Sequence, residues 1–418
     1  MRILWIVNTI FPEPSKALGI DIPVVGGWMY GLAEQLNKTE GITLSVATTY
    51  AGTKMQKLTI GDVDYFLLPS KNKLKYESHL EEYWVKILSD CNADVIHIHG
   101  TEYAHGLACL RALPRLKYVI SIQGLVGVCS QYYFSGIGVK DVLRNITFRD
   151  IIRWDTLFHQ KRNFKKRGLF EKEYIQQAKN VIGRTSWDYA HTKTILPKLN
   201  YHFCNESLRV GFYTSKKWSL EECEPYTLFL SQAGYPIKGL HQVLKAVALV
   251  SNYFPLIKVK IGGSNVTASS TFKEKIRISG YGNYIKRLIT KLDLVKQVTF
   301  LGNLSEEEMV HQYRKANVFV CPSSIENSPN SLGEAQLIGV PCIAAYVGGV
   351  PDMIEHDKTG LLYRFEEVEM LAQQLIRVFA DSELALKLSV KGIEAADFRH
   401  DSKKNLEATI AIYSIINE

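Results

Sequence analysis

Short apolar and β-branched runs alternate with amphipathic stretches along almost the whole chain. In the N-terminal half, these runs occupy residues 2–7, 43–48, 94–99 and 118–123. The same alternation resumes in the C-terminal half, at residues 227–231, 257–261, 297–301, 318–320 and 342–345. Between the first two runs, Trp28, Leu32 and Leu36 share one helical face. Strands that alternate with helices predict parallel sheets covered by helices on both faces, which is an α/β fold.

A polar stretch that ends in proline, TSKKWSLEECEP at residues 214–225, separates the two series. We therefore predict an N-terminal domain over residues 1–214 and a C-terminal domain over residues 215–395. Residues 396–418 carry apolar positions at helical spacing and are expected to form a helix that packs back on the N-terminal domain. Two doubly wound domains leave a cleft, and ligands of such sheets bind beyond the carboxyl ends of the strands.

Composition narrows the class of protein. The chain has 418 residues, of which 46% are hydrophobic and 22% charged, and this excludes disordered, collagen-like and disulfide-scaffold proteins. No apolar run approaches the roughly 20 residues of a membrane-spanning helix. Seven widely spaced cysteines without a CxxC motif indicate a reducing compartment and no zinc site, so we expect a cytoplasmic protein. Lysine and arginine exceed aspartate and glutamate by 50 − 42 = 8, which suits an anionic partner of some kind.

Candidate chemistry is concentrated in residues 318–345, VFVCPSSIENSPNSLGEAQLIGVPCIAA. This stretch predicts a strand, a loop, and then a helix that begins at about Ser331. Pro329 prevents one continuous helix through Glu326 and Glu334, so Glu326 is expected in the loop and Glu334 in the first helical turn.

The start of that helix predicts a diphosphate site, because its backbone N–H groups lack partners and the helix dipole favours an anion. Carboxylates beside it can accept hydrogen bonds from the hydroxyls of a ribose and of a sugar, which together describe a nucleotide-diphosphate sugar. Two simpler interpretations stay open. Ser331 and Glu334 also fit a capping box, and Glu326 alone fits a surface carboxylate.

The string resembles the retaining glycosyltransferases of family 4, whose GT-B fold has two Rossmann-like domains with a cleft between them. The resemblance rests on Glu-x7-Glu after a strand, then a short helix, Gly-Val-Pro and another strand, and it continues through GGVPDMIEHDKTGLLY at residues 348–363. Further similar stretches are residues 26–27, 94–100, 236–246, 261–263 and 301–320.

The resemblance implies transfer of a sugar from a nucleotide-diphosphate sugar to an acceptor hydroxyl, with retention of configuration and without a metal or other cofactor. It implies catalytic roles for Glu326, which faces the donor sugar, and Lys238, which neutralises the diphosphate. It implies donor binding by Gly26, Gly27, Gly263, Asn330, Ser331, Leu332 and Glu334. The expected acceptor is a glycan or a lipid-linked glycan of surface polysaccharide synthesis.

Several positions depart from the family pattern. Ala233 stands where members usually carry arginine, so one of two cations on the diphosphate is missing or supplied elsewhere. Gln123 stands where members often carry histidine. His97 and His99 lie along a buried strand, and at most one of them is expected to face the cleft. His99 and Gln123 are the candidates for contact with the acceptor.

Residues 144–170 carry eight basic and two acidic side chains, interleaved with aromatic and aliphatic ones. This composition predicts an interfacial helix on anionic lipid, with Lys165, Lys166 and Arg167 among its lipid-facing charges. It would place the protein at the inner face of the plasma membrane. The alternative is an amphipathic helix with a solvated basic face. No nucleic-acid motif accompanies the segment, so no nucleic-acid partner is expected.

Three other functions stay open. A GT-B sugar-nucleotide epimerase would use the same folds, although the spacing of Glu326 and Glu334 favours the transferase. A nucleotide-sugar-binding protein without catalysis would fit Ala233 and Gln123. A nicotinamide-dependent Rossmann enzyme is the weakest alternative, because no GxGxxG follows the first strand.

Overall fold

The computed structural model describes residues 1–21 and 26–418. Its strands are β1 (Arg2–Ile6), β2 (Thr43–Tyr50), β3 (Gln56–Ile60), β4 (Val63–Pro69), β5 (Val95–His99), β6 (Tyr118–Ser121), β7 (Asn180–Gly183), β8 (Asn200–Phe203), β9 (Thr227–Leu230), β10 (Lys258–Ile261), β11 (Val298–Phe300), β12 (Val318–Cys321), β13 (Cys342–Ala345) and β14 (Leu361–Tyr363). Its helices are α1 (Pro12–Ala17), α2 (Gly27–Asn37), α3 (Leu80–Cys91), α4 (His105–Ala112), α5 (Val126–Cys129), α6 (Val139–Arg144), α7 (Phe148–Ile152), α8 (Leu157–Ala178), α9 (Ser186–Ile195), α10 (Val210–Thr214), α11 (Leu240–Val250), α12 (Phe272–Arg277), α13 (Gly280–Lys291), α14 (Glu306–Lys315), α15 (Asn330–Ile338), α16 (Val368–Ala380), α17 (Ser382–Arg399) and α18 (Ser402–Asn417).

The chain folds into two compact units. Unit 1 contains residues 1–128, 165–209 and 400–418, and unit 2 contains residues 129–164 and 210–399. The expected N-terminal domain ran continuously to residue 214, whereas residues 129–164 group with unit 2.

The described strands of unit 1 form one sheet in the order β3-β4-β2-β1-β5-β6-β7-β8. They pair in parallel except for β3, which runs antiparallel to β4 at the sheet edge. Successive side chains of β1 enter opposite layers, as the two-residue period of a strand requires. Ile3 and Trp5 pack against α2 and α18, and Leu4 and Ile6 pack on the other face with α3, α4 and α8.

The C-terminal helix α18 is part of unit 1. The Tyr413 hydroxyl lies 3.0 Å from Nε1 of Trp5, which donates to it, and 2.5 Å from Nδ1 of His97. These buried polar contacts attach the helix to β1 and β5, in addition to the apolar contacts of its inner face.

The described strands of unit 2 form a parallel sheet in the order β11-β10-β9-β12-β13-β14. Numbered within the unit, this is the order 3-2-1-4-5-6 of a Rossmann fold. The strand order therefore reverses between β9 and β12. The predicted fold class, α/β with two doubly wound and largely parallel sheets, is confirmed.

Residues 129–164 join unit 2 through specific hydrogen bonds. The Ser135 carbonyl lies 2.7 Å from Nε2 of the buried His241 on α11. The Ser135 hydroxyl lies 2.9 Å from the Ser324 hydroxyl. The Asp150 carboxylate accepts a 2.8 Å hydrogen bond from the N–H of Gly280, at the start of α13. His241, Ser324 and Gly280 are all distant from the segment in sequence, which is why hydrophobic periodicity assigned it to the N-terminal half.

Each of the nine predicted runs coincides with a strand to within two residues at either end. Strands β3, β4, β7 and β8 were not predicted, whereas the resemblance implied a strand within residues 348–363, where β14 lies. Among the described residues, no helix combines the length and the apolar character that crossing a bilayer requires.

His241 should make unit 2 acid-sensitive. Burial lowers the pKa of its imidazole from 6.5 to about 4, although the hydrogen bond to Ser135 acts in the opposite direction. The folded state therefore binds fewer protons than the unfolded state, so stability present above pH 6.5 is lost as the pH falls towards 4. We expect His241→Gln, which can still donate to the carbonyl, to remove up to about 3 kcal/mol of this loss. Urea unfolding at several pH values measures the free energy of unfolding of both proteins. A pH dependence in His241→Gln equal to that of the wild type would contradict the prediction.

Candidate active site

Three loops at the carboxyl edge of the unit 2 sheet carry the predicted catalytic and donor-binding residues. Lys238 follows β9, Gly263 follows β10, and Glu326 follows β12. Because β10, β9 and β12 are neighbours in the sheet, residues far apart in sequence meet at this edge. The edge next to a strand-order reversal is where open α/β sheets bind ligands.

Lys238 and Glu326 form an ion pair at this edge. Nζ of Lys238 lies 2.5 Å from Oε1 of Glu326, and the two side chains are only 13% and 15% exposed. The Ser323 hydroxyl donates a 2.6 Å hydrogen bond to the same carboxylate oxygen. Sequence reasoning proposed the lysine and the glutamate separately, and it missed both their contact and Ser323.

The carboxylate keeps the lysine charged. Burial by itself would lower the pKa of Lys238, but the charge of Glu326, with a smaller contribution from Tyr235, raises it above its ordinary value. Nζ also lies 5.9 Å from the centroid of the Tyr235 ring. Ala233, which stands at the position of the family's arginine, is buried and adds no charge.

Two glycines allow the loops to approach each other. Gly239 has φ +70°, and a Cβ there would lie 1.8 Å from the carbonyl oxygen of Pro322. Gly348 has φ +53°, and a Cβ there would lie 1.8 Å from the carbonyl oxygen of Glu326. The backbone of the Lys238 turn and that of the Glu326 loop are therefore closed in by main chain, and a side chain at either glycine would displace them.

Helix α15 begins beside this pair, one residue earlier than predicted. Its N-cap is Pro329, with no side-chain hydrogen bond, and Asn330 is its first residue. Ser331 therefore lies inside the helix, and the capping-box interpretation of Ser331 and Glu334 is wrong. Leu332 has a fully buried side chain, and its backbone N–H donates a 2.9 Å hydrogen bond to the carbonyl of Pro329, so its donor contact stays a prediction. The first N–H groups of a helix have no partner within it and suit an anion.

Glu334 lies one turn into α15 and is 6% exposed. The Tyr313 hydroxyl on α14 lies 3.4 Å from Oε2 of Glu334 and donates a 3.0 Å hydrogen bond to the carbonyl of Ser331. Tyr313 therefore connects α14 to the first turn of α15. No local sequence signal pointed to it.

Gly263 lies two residues after the end of β10 and has φ +89°. Its N–H donates a 2.7 Å hydrogen bond to the carbonyl of Gly302, and open space surrounds the position that a Cβ would occupy. Its left-handed backbone explains the glycine, and its donor contact stays a prediction.

The predicted glycines of unit 1 have a packing role. Gly26 caps α2 with φ +89°, and a Cβ there would lie 2.8 Å from Cγ2 of Thr9. A Cβ on Gly27 would lie 2.9 Å from Cδ of Arg209. Close packing alone accounts for both glycines, and their donor contacts stay predictions.

His97 and His99 lie on the same face of β5. Their ring centroids are 3.8 Å apart, so the two side chains do not point to opposite faces of the sheet, as the expectation for this strand assumed. Residues two apart on a strand share a face, which the expectation overlooked. His97 is hydrogen-bonded, whereas His99 has no hydrogen-bond partner for either ring nitrogen within the described residues.

Gln123 follows β6 and donates a 2.7 Å hydrogen bond to the Glu206 carboxylate. That carboxylate also pairs with the buried guanidinium of Arg184. The glutamine therefore belongs to a charged network inside unit 1, and its acceptor contact stays a prediction.

The predicted interfacial segment is not one helix. Helices α7 and α8 are separated by a turn. Lys165 and Lys166 are exposed on α8, but Arg167 donates a 2.8 Å hydrogen bond to the carbonyl of Glu102 and lies over the ring of Tyr103. Arg167 is therefore a packing residue of unit 1 and not a free surface charge.

Within residues 1–21 and 26–418, no group of three histidine, cysteine, aspartate or glutamate side chains could hold a metal ion. Asp64, on β4, pairs with Lys57 at 3.1 Å and accepts a hydrogen bond from Thr59 at 2.7 Å.

The two Rossmann-like parallel-sheet units have the GT-B fold. The whole chain is similar in structure to sucrose-phosphate synthase from Thermosynechococcus elongatus, with a TM-score of 0.74 over 100% of this chain and 99% of that one. The sequences are 17% identical, so this similarity shows the fold alone.

Part of unit 2 is similar in sequence to known proteins. Residues 214–395 match the family described as "Glycosyl transferases group 1". A stretch of 163 residues, 38% of this chain, is 32% identical to 36% of D-inositol 3-phosphate glycosyltransferase from Corynebacterium efficiens. A stretch of 137 residues, 30% of this chain, is 29% identical to 36% of the GDP-mannose-dependent alpha-(1-6)-phosphatidylinositol monomannoside mannosyltransferase of Mycobacterium tuberculosis. The match spans about a third of these relatives, and it supports a GT-B glycosyltransferase.

The Lys238 turn offers a test of the loop packing. Gly239→Ala should destabilise the protein by about 1–3 kcal/mol, because it combines a left-handed backbone with a clash against main chain. Gly234→Ala in the same loop is the matched control, since nothing lies within 4 Å of the added methyl. Chemical denaturation measures both variants, and equal stabilities would contradict the close approach.

Proposed function

We propose that the protein is a retaining glycosyltransferase of class EC 2.4. It moves a hexose from a nucleotide-diphosphate sugar to an acceptor hydroxyl. The observation that carries the proposal is the Lys238–Glu326 ion pair, which lies where the strand order of unit 2 reverses. The match of residues 214–395 to a glycosyltransferase family supports the same function.

The donor site combines three elements of unit 2. The first N–H groups of α15, at Asn330 and Ser331, bind the diphosphate together with the ammonium of Lys238. Glu334 accepts hydrogen bonds from the ribose hydroxyls. A nucleotide-sugar donor is consistent with the name of the mycobacterial relative, which is GDP-mannose-dependent.

The chemical step follows from the charges at this site. As the bond between the sugar and the diphosphate breaks, negative charge grows on the leaving phosphate and positive character grows on the sugar ring. Lys238 stabilises the phosphate, and Glu326 stabilises the sugar. The 2.5 Å contact between the two side chains means that they act as a coupled pair, so the diphosphate must compete with Glu326 for the ammonium.

The acceptor is a glycan or a lipid-linked glycan, bound by unit 1. His99 supports this assignment, because both of its buried ring nitrogens lack a hydrogen-bond partner among the described residues. The name of the mycobacterial relative contains a lipid acceptor, which favours a lipid-linked acceptor here as well.

Donor binding can be measured by thermal shift against UDP-, GDP- and ADP-sugars. The true donor, at a hundredfold its dissociation constant, should add about 2.7 kcal/mol of stability. Glu334→Gln should weaken the binding of that donor by about 1–3 kcal/mol, because the variant lacks the charged acceptor for the ribose hydroxyls.

The control is the corresponding nucleoside monophosphate, which keeps the ribose contact and loses the sugar and one phosphate. No stabilisation by any nucleotide sugar would contradict the proposed donor site. A donor that binds without any product from glycan or lipid-linked acceptors would instead favour the binding protein without catalysis.

Catalysis should depend on the ion pair. Glu326→Gln should lower kcat by roughly 10²–10³, with a smaller change in donor affinity, because its charge acts mainly in the transition state. Lys238→Met should lower both kcat and donor affinity. Glu224→Gln breaks a comparable pair with Lys260, 2.7 Å apart and elsewhere in unit 2, and serves as the matched control. Steady-state kinetics measure kcat and KM of the three variants. If Glu224→Gln lost as much turnover as Glu326→Gln, the proposal that catalysis depends on the Lys238–Glu326 pair would be wrong.

A further inference from the structure

Two adjacent short helices of unit 2, α7 and α12, leave large apolar side chains exposed to solvent. The turn after α7 adds a tryptophan. We name this region the α7–α12 surface and define it by its apolar members Phe148, Ile151, Ile152, Trp154, Phe272 and Ile276. Phe272 is 79% exposed and Trp154 is 74% exposed. Such a cluster is larger than the scattered apolar residues of an ordinary surface.

The two helices are held together by polar contacts at their ends. The Thr147 hydroxyl, at the N-cap of α7, donates a 2.9 Å hydrogen bond to the carbonyl of Ile278, just after α12. The Asp150 carboxylate on α7 accepts a 2.8 Å hydrogen bond from the backbone N–H of Gly280. Capping boxes begin both helices. Their fixed positions therefore do not depend on burial of the exposed apolar side chains.

The acidic side chains of this surface are held in ion pairs and hydrogen bonds. Arg149 pairs with Asp150 at 3.1 Å and with Asp155 at 2.8 Å. The Glu274 carboxylate accepts the backbone N–H groups of Ser270 and Thr271. The carboxylates of α7, α12 and the turn after α7 are thus engaged.

Basic side chains stay exposed beside the apolar ones. Arg153 follows α7, and Lys273, Lys275 and Arg277 belong to α12. Within the described residues, none of these four side chains has an ion-pair partner. The surface therefore presents apolar groups and a net positive charge together.

Trp154 is held in an unfavourable backbone conformation. Helix α7 ends in a Schellman motif, in which the N–H of Asp155 donates to the carbonyl of Asp150 and that of Trp154 to Ile151. Trp154 occupies the left-handed position of this motif with φ +50°, where glycine is strongly preferred. The ring meets His159 edge to face, with centroids 5.4 Å apart, but it stays 74% exposed at a backbone position that disfavours tryptophan, which favours a role outside the fold.

We propose that the α7–α12 surface docks on an anionic lipid bilayer. Exposed aromatic and aliphatic side chains enter the interfacial region, tryptophan is favoured there, and the basic side chains meet anionic headgroups. The sequence prediction placed lipid contact on residues 144–170. In the structure, the surface also includes α12, from a distant part of the sequence, and it does not include Arg167, which packs within unit 1.

The test uses the whole protein and cosedimentation with vesicles at low salt. One vesicle contains phosphatidylcholine alone, and the other contains equal parts of phosphatidylcholine and phosphatidylglycerol. We expect binding to the anionic vesicles that weakens as salt is added. Trp154→Gly should reduce this binding severalfold, while its melting temperature stays equal or rises because glycine relieves the strained φ. Tyr253→Ser is the matched control. This tyrosine lies in the turn after α11, outside the α7–α12 surface, and is 71% exposed, so its replacement should leave vesicle binding unchanged.

A charge variant tests the second helix independently. Lys273→Glu combined with Lys275→Glu should lower the partition coefficient by at least about tenfold at low salt. Lys296→Glu, exposed after α13, should leave binding unchanged. Equal binding to the neutral and the anionic vesicles would overturn the proposal, as would wild-type binding by both Trp154→Gly and the charge variant.

Other occupants of the surface give different outcomes. Binding of a single-stranded polynucleotide without vesicle binding would overturn the proposal in favour of nucleic acid. Self-association that is lost in Trp154→Gly, without vesicle binding, would overturn it in favour of a second copy of the chain. The docking proposal does not depend on the sugar chemistry, because donor-induced thermal shifts should be equal in the wild type and in these variants.

Discussion

The ammonium of Lys238 is largely buried, and a buried charge is stable only beside a partner of opposite sign. Glu326 provides that partner although it is 88 residues away in sequence. The contact requires β9 and β12 to be neighbours, which the register of Leu228 with Val318 establishes. It also requires main chain to pass close to main chain, which glycine at position 239 allows. The strand order of unit 2 and the packing of its loops therefore serve one electrostatic constraint.

Much of the fold could be predicted because buried parallel strands are continuous apolar runs. Runs such as those of β1, β5 and β13 are buried along almost their whole length, so the sequence shows them directly. Strand β3 alternates between half-exposed and exposed positions, and β8 exposes its ends. These strands lie at the edges of the unit 1 sheet, where one side meets solvent and the apolar signal is weak.

The candidate site was predictable only as far as it is local. Glu326, Glu334 and the start of α15 follow from one strand–loop–helix pattern. Their partners Ser323 and Tyr313 were missed: the serine sits within the same pattern but carries no signal of its own, and the tyrosine comes from another helix. The assignment of residues 129–164 to unit 2 depends on single hydrogen bonds to α11 and α13, and such contacts leave no periodicity in a sequence.

Capping determines where the charges of the α7–α12 surface lie. Counted in sequence, α7 and α12 contain three basic side chains besides Arg149, together with two carboxylates, Asp150 and Glu274. In the structure, the carboxylates accept backbone N–H groups at helix starts, where the helix dipole stabilises them. The cations face solvent instead, so folding itself separates the charges. With four basic side chains against two carboxylates, the two helices carry a net positive charge, and the hydrogen bonds that fix the helices hold the carboxylates at helix starts while Lys273, Lys275 and Arg277 face solvent.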